Sequence, residues 1–240
     1  MTKDFQNRSL KLERIDTGDY TSEEYDRFLQ EIRLVNRFAG DSQALKNTLL
    51  REIERADLRT FSVLDIGAGS GELLRVIAKF ARRQKRKANL TGLELNARSA
   101  EAILEESKDF AEISSIRGNA LNLPFTENSF DYAICSLFTH HFTDENIIAI
   151  LREMARVARR KIFVIDLHRH RMAYLSYQIF CAAFRISPLV AQDGLLSILR
   201  SFKPHELQFL AEKANLQSIS VERHLPFRLV LEAGKSNKII

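Results

Sequence analysis

The sequence predicts a doubly wound α/β sheet of seven strands, mostly parallel, ending in a C-terminal antiparallel hairpin and covered by a helical lid. Three observations predict it. Between residues 61 and 167, short apolar runs alternate with amphipathic stretches, the order expected of parallel strands joined by right-handed helical crossovers. The short runs are apolar nearly throughout, as strands are when helices cover both faces of a sheet. Near the end of the chain, the runs Leu216 to His224 and Phe227 to Ala233 are separated only by Leu225-Pro226. That gap is too short for a crossover, so the last two strands pair antiparallel.

The elements follow in order. Phe61 to Ile66 reads as a buried strand, and Gly71 to Arg83 as a helix with Leu73, Leu74, Val76, Ile77 and Phe80 on one face. Leu90 to Leu95 is the second strand, Ala97 to Phe110 the second helix and Ile113 to Ile116 the third strand. Phe130 to Cys135 is the fourth strand. Thr143 to Ala158 is a helix that Thr143 can cap, with acids in its first turn. Lys161 to Asp166 is the fifth strand. Two segments fall outside this alternation. Residues 1–58 are mostly helical and charged, with an apolar stripe at Tyr25, Phe28, Ile32, Leu34 and Val35. Residues 168–203 form an insertion containing the apolar run Tyr174 to Phe184. Ligands of open α/β sheets sit at the carboxyl ends of the strands, so both segments read as a lid: an N-terminal lid at 1–58 and a domain at 59–240 with a helical insertion at 168–203.

Composition narrows the class. A chain of 240 residues, 45% hydrophobic and 28% charged, buries a core without needing a metal or disulfide staple. Cys135 and Cys181 are its only cysteines and form no Cys-x-x-Cys pair, which leads us to expect a reducing, cytoplasmic setting. The start Met1-Thr2-Lys3-Asp4 has no apolar run of a secretory signal. No stretch reaches the roughly 18 apolar residues of a membrane span. The net charge is +5; this permits an acidic partner without demanding one. The basic run Arg82-Arg83-Gln84-Lys85-Arg86-Lys87 reads as a solvated helix end, with a phosphate-binding patch as the alternative.

The run Asp65-Ile66-Gly67-Ala68-Gly69-Ser70-Gly71 carries most of the functional information. A glycine-rich turn between a buried strand and a helix lets the backbone approach a ligand and presents free N–H groups to it. The spacing is not that of a dinucleotide fingerprint, because the third glycine comes one position early, and no lysine follows as in a phosphate-binding loop. Asp65 would repel a pyrophosphate and would suit a ligand carrying positive charge. Glu94 ends the second strand, where a carboxylate accepts from ribose hydroxyls. Together they point to a cationic adenosine ligand without phosphate.

Val63 to Gly71 resembles motif I of the class I S-adenosylmethionine (SAM) dependent methyltransferases. Three further segments resemble that family in the same order: Leu93-Glu94, Arg117 to Phe125, and Phe130 to Ser136. The pattern is most similar to the small-molecule branch that includes the ubiquinone and menaquinone biosynthesis methyltransferases. The resemblance implies a Rossmann-like fold and SAM as cofactor. It implies that Asp65 holds the methionine ammonium, and that Gly67, Ala68 and Gly69 pass close to the methionine part. Glu94 would take the ribose hydroxyls, Leu95 would lie against the adenine, and Asn119 and Ala120 would line the adenine edge. Ser136 and Leu137 would stand beside the sulfonium. The family usually has Asp where this chain has Asn119; an amide oxygen still meets the adenine amino group.

Methyl transfer asks the protein to position the acceptor and exclude water, and a general base helps where the acceptor is a phenol, an alcohol or an acidic carbon. Of the six histidines, His140 and His141 follow the fourth strand, and His168 and His170 follow the fifth. His140 and His168 are the candidate catalytic residues. Arg37, Arg169 and Arg200 are candidate anion clamps, with Arg37 the one assigned to the cofactor. No metal is expected: His168 and His170 lack a neighbouring carboxylate or cysteine pattern. The expectation is a SAM-dependent methyltransferase for a small, apolar or aromatic metabolite, methylated on O or C: a polyketide, quinone precursor or phenol. It would act as a monomer or homodimer without a nucleic-acid partner. Two alternatives stay open: an RNA or protein methyltransferase, and a non-enzymatic SAM-fold binding protein.

Overall fold

The computed structural model describes residues 4–234, without the side chains of Asp26, Leu29 and Arg37. The chain opens with α1 (Arg14–Thr17) and α2 (Ser22–Ala39). Thr21 caps α2 through a reciprocal capping box with Glu24. Next come α3 (Asp41–Leu45), a π-helical turn (Lys46–Leu50) and α4 (Arg51–Arg55). The alternating part follows as β1 (Thr60–Ile66), α5 (Glu72–Arg83), β2 (Lys87–Glu94), α6 (Ala97–Glu106), β3 (Ile113–Arg117) and β4 (Phe130–Ser136). After a 3₁₀ turn (Thr139–His141) come α7 (Asp144–Val157) and β5 (Ala158–Leu167). Helices α8 (Arg171–Ala183), α9 (Pro188–Arg200) and α10 (Pro204–Lys213) precede β6 (Gln217–His224) and β7 (Arg228–Gly234).

The seven strands form one sheet in the order β3-β2-β1-β4-β5-β7-β6. Strands β1 to β5 pair in parallel, and β7 is antiparallel to both of its neighbours. The doubly wound sheet with its C-terminal hairpin is therefore as the sequence predicts. The strand order reverses between β1 and β4, and at such a switch point a crevice opens at the carboxyl ends of the strands.

An apolar core lies on each face of the sheet. One joins Leu64, Ile66 and Val164 to Ile150, Leu151 and Met154 of α7 and Leu207 and Leu210 of α10. The other joins Val63, Leu90 and Phe163 to Leu74 and Ile77 of α5 and to Leu45, Leu49 and Ile53. The last three place residues 41–55 in the main core, so the N-terminal cover is narrower than the 1–58 read from sequence. The apolar residues of 41–55 pack on the sheet, whereas α2 packs against α9. A smaller cluster, Ala173, Tyr174 and Ile198 with Phe5 and Tyr177 beside them, holds α8 and α9 together over the crevice.

Candidate functional site

A cavity of about 570 Å³ lies between the carboxyl ends of β1, β4 and β5 and the cover formed by α2, α8 and α9. Its floor contains Asp65, Gly67, Ala68, Gly69, Ser136, Leu137 and His140. Its walls are largely apolar: Phe28, Ile32 and Val35 from α2, Tyr177 and Phe180 from α8, and Val190 and Ile198 from α9.

Asp65 closes β1 with its carboxylate almost wholly buried, 2% exposed. Its Oδ1 has no hydrogen-bond partner. Burial, reinforced by the charge of Glu94, raises its pKa well above the usual carboxylate range. A buried acid of this kind is costly unless something cationic meets it. The glycine turn beside it is open. Gly67 takes φ +70°, and a Cβ there would stand 2.3 Å from Phe138 Cδ2. Gly69 takes φ +58° with nothing within 4 Å of an added Cβ. The first glycine is thus needed for contact with Phe138, and the second leaves free space above the turn. Glu94 Oε1 accepts from Gly69 N–H at 2.6 Å, which ties the end of β2 to the turn. Burial raises the Glu94 pKa, and the backbone hydrogen bonds of Gly69 and Leu95 act against that rise.

The residues predicted for the adenine side, Leu95, Asn119 and Ala120, do not line the cavity. Pairing of Glu94 with Arg117 brings the ends of β2 and β3 together. Leu95 is 66% exposed there, and Ala120 is buried. Asn119 Oδ1 accepts from Leu121 N–H at 2.9 Å, so its amide oxygen shapes the loop.

After β4 the chain turns sharply. Leu137 takes φ +50°, a conformation that a branched residue adopts only where its surroundings hold it. Ser136 Oγ donates to Asp41 Oδ1 at 3.4 Å. Asp41 in turn accepts from Arg228 Nε at 2.7 Å and Nη2 at 3.1 Å. Both partners are buried, and both line the cavity.

The 3₁₀ turn places His140 against the end of β5. His140 Nδ1 lies 2.7 Å from Asp166 Oδ1. Asp166 also accepts from Thr139 Oγ1 at 2.6 Å, from the His140 backbone N–H at 3.2 Å and from Leu167 N–H at 2.8 Å. Burial alone would raise the Asp166 pKa, but His140 and these donors hold it at about 2. The carboxylate is therefore ionised, and the ring proton belongs on Nδ1 facing it. In the neutral ring that leaves Nε2 as the lone-pair nitrogen, on a residue that lines the cavity.

Beside this pair stands a second group. Glu13, 3% exposed, accepts from Ser197 Oγ at 2.9 Å. Burial, partly offset by His141 and that hydrogen bond, pushes its pKa up to about 7. His141 Nδ1 lies 3.1 Å from Asp16 Oδ2. Ligating atoms of Glu13, His140 and His141 come within 4.8 Å of one another, but Arg200 Nε stands 3.7 Å from Glu13 and already supplies positive charge there. Arg200 also donates to the backbone oxygens of His140 at 3.1 Å, of His141 at 2.7 Å and of Lys11.

His168 is not brought to the site. Leu167, the last residue of β5, lines the cavity, and His168 after it does not. The His168 backbone N–H donates to Phe227 O at 3.0 Å, and its ring lies 5.4 Å from that of His170. Burial, then the charge of Arg223, lowers its pKa to about 4. Of the two candidate catalytic histidines, the structure thus brings only His140 to the cavity. Arg169 is not an anion clamp either. Its buried guanidinium binds the backbone oxygens of Phe5, Gln6 and Ser201 and the carboxylate of Glu206. Arg200 is likewise engaged by the chain itself. The side chain of Arg37 lies outside the described residues.

Sequence reasoning missed Asp166, Glu13, Asp41 and Arg228. Asp166 had a signal, an acid ending a strand beside a histidine turn. The other three meet partners far away in sequence, and no local pattern marks them.

Residues 63–161 match the family described as a methyltransferase domain. The chain is 29% identical over 140 residues to a demethylmenaquinone methyltransferase of Thermotoga maritima, covering 57% of this chain and 56% of the relative. It is 27% identical over 154 residues to a demethylmenaquinone methyltransferase of Bacillus licheniformis, covering 64% of this chain and 62% of the relative. The chain thus spans between half and two thirds of the length of these curated relatives. Among solved structures it is similar to a magnesium protoporphyrin IX methyltransferase of Synechocystis with bound SAH. The TM-score is 0.62 at 16% identity, over 92% of this chain and 99% of that one. It is also similar to human N-acetylserotonin methyltransferase in complex with SAM, with a TM-score of 0.61 at 15% identity, over 94% of this chain and 63% of that one. At these identities the structural likeness is one of fold.

Proposed function

We propose that this chain, which carries a methyltransferase domain of the class I SAM-dependent family, transfers a methyl group from SAM to a small apolar or aromatic acceptor held beneath α2, α8 and α9. The observation that carries this reading is the continuity of one cavity, from the unpartnered Asp65 carboxylate and the glycine turn to His140, under largely apolar walls. The residues fit the cofactor. Asp65 offers an ammonium the partner its Oδ1 lacks, the space over Gly69 admits the ligand against the backbone, and Glu94 stands where ribose hydroxyls are held. When bound, SAM supplies a methyl group already activated on a sulfonium, so the remaining work is positioning, exclusion of water and removal of a proton.

The cover does the first two. Tyr177, Phe180, Val190 and Ile198 line the space above the floor and leave a half-open cavity sized for a small molecule. Its volume of about 570 Å³ and its largely apolar walls favour a small apolar acceptor over RNA or protein. His140 does the third. Asp166 fixes the proton on Nδ1 and leaves Nε2 to accept a proton from a phenolic, enolic or acidic carbon acceptor. The similarity to demethylmenaquinone methyltransferases also supports an aromatic, quinone-like acceptor. The test is incubation with methyl-labelled SAM and a panel of phenols, hydroquinones and enolic polyketides, followed by solvent extraction. Label in an extracted small molecule supports the reading. Label found only in added RNA or protein, or in nothing, overturns it.

A further inference from the structure

Helix α8 is apolar on both faces. Its inner face brings Tyr177 and Phe180 to the cavity. On the opposite face Met172, Leu175 and Ile179 recur at i, i+3 and i+7, and they are 53%, 48% and 61% exposed. Phe184, just past the helix end, and Phe38 of α2 extend this surface, 51% and 54% exposed, and their rings lie 6.0 Å apart. A helix this apolar would ordinarily be buried, and a contiguous exposed apolar patch marks an interaction site.

The charges that α8 itself carries are of one sign. Residues 171–185 contain no acid, and the two charges are Arg171 and Arg185, one at each end and both exposed. Arg27 also reaches the second end, donating to the Arg185 backbone oxygen at 3.3 Å, with its own charge paired to Glu31 at 2.7 Å, so Arg171 and Arg185 are the charges the patch presents. This arrangement disfavours a second copy of the chain as the occupant. Two α8 helices packed across a two-fold axis set arginine against arginine at both ends, whichever way they run. An anionic lipid surface suits both components, accepting the apolar side chains between acyl chains and the arginines among the headgroups. No helix among the described residues is long and apolar enough to cross a membrane, so contact is with the surface.

We infer that the outer face of α8, with Phe38 and Phe184, docks on an anionic bilayer and places the roof of the cavity against the lipid. This deepens the proposed function and rests on it for what enters the cavity: an apolar acceptor drawn from the membrane rather than from water.

The test is co-sedimentation with vesicles of phosphatidylglycerol in phosphatidylcholine, using the full chain. Wild type is expected to pellet with these vesicles, and to do so less with phosphatidylcholine alone or at high salt. Leu175→Glu/Ile179→Glu is expected to weaken binding roughly tenfold or more, and Arg171→Gln/Arg185→Gln to weaken it in the anionic vesicles only. Both variants are expected to keep the wild-type thermal midpoint and the wild-type stabilisation by SAM. Wild type that ignores the vesicles, or a double-glutamate variant that binds as wild type does, overturns the docking. A dimer that Leu175→Glu/Ile179→Glu dissociates, with no vesicle binding, assigns the face to a second copy and also overturns it. Absence of any SAM stabilisation in wild type overturns the proposed function instead, so the two failures are distinguishable.

Discussion

His140 Nδ1 and Asp166 Oδ1 meet at 2.7 Å, with the histidine 3% exposed and the aspartate fully buried. Four donors converge on the aspartate, so its ionised form and the histidine tautomer are set together. In Asp166→Asn the ring loses the acceptor that fixes its proton on Nδ1. The expected outcome is a fall in kcat of about 10²- to 10⁴-fold with the affinity for SAM retained, checked by steady-state kinetics beside calorimetric titration. The folded-state pKa is lowered to about 2 from 3.8. Its stabilisation is therefore present above the unfolded value and lost as pH falls through about 2.

Gly67 and Gly69 look alike in sequence and differ in what surrounds them. An alanine at 67 drives its Cβ into the Phe138 ring, whereas one at 69 meets open space. Gly67→Ala is expected to lower the thermal midpoint and displace Phe138, and Phe138→Ala to restore part of the loss. Gly69→Ala carries mainly the cost of its positive φ, on the order of 1 kcal/mol, and its defect is expected in SAM affinity. Thermal melts with and without SAM separate the two.

Glu13 gives the free protein a signed pH dependence. Its pKa is raised from 4.5 to about 7, so its contribution to stability is fully present below 4.5 and is lost as pH rises through about 7. The amount is on the order of 3 kcal/mol. Glu13→Gln keeps the neutral form at every pH. Its melting temperature is expected to match wild type near pH 4 and to exceed it at pH 8; a variant less stable than wild type at pH 8 contradicts the assignment.

Asp41 and Arg228 form a buried pair that ties α3 to β7 at the edge of the cavity. Arg228→Met leaves Asp41 as an uncompensated buried charge and is expected to cost about 3–5 kcal/mol. Asp41→Leu/Arg228→Met removes both charges and is expected to recover most of that loss. Chemical denaturation of the two single variants and the double variant gives the coupling.

The sheet was legible because its information is local. Each apolar run, from Phe61 to Ile66 through Lys161 to Asp166, carries its own period, and Leu225-Pro226 leaves room only for an antiparallel return. The donor side was legible for the same reason, since Asp65 and the glycines lie within one turn. The acceptor side was not. His168 looked equivalent to His140, and only the folded chain shows that His140, and not His168, lines the cavity. Glu13 reaches Ser197 across 184 residues, and Arg228 reaches Asp41 across 187. Such contacts are set by how the cover lies on the sheet. The packing of 41–55 on the sheet was not legible either, because helical periodicity says which face of that segment is apolar, and not whether that face meets the sheet or the cover.

The buried Asp65 carboxylate is the centre of the account. Its raised pKa in the free protein means that a cationic ligand gains affinity as pH rises and the carboxyl group ionises. The most direct measurement is calorimetric titration of SAM, S-adenosylhomocysteine and NAD into wild type and Asp65→Asn at two pH values. The account predicts saturable binding of SAM and S-adenosylhomocysteine by wild type, tighter at the higher pH, no binding of NAD, and SAM binding at least about tenfold weaker in Asp65→Asn. Equal SAM affinity in the two proteins, or binding of NAD in place of SAM, would contradict it.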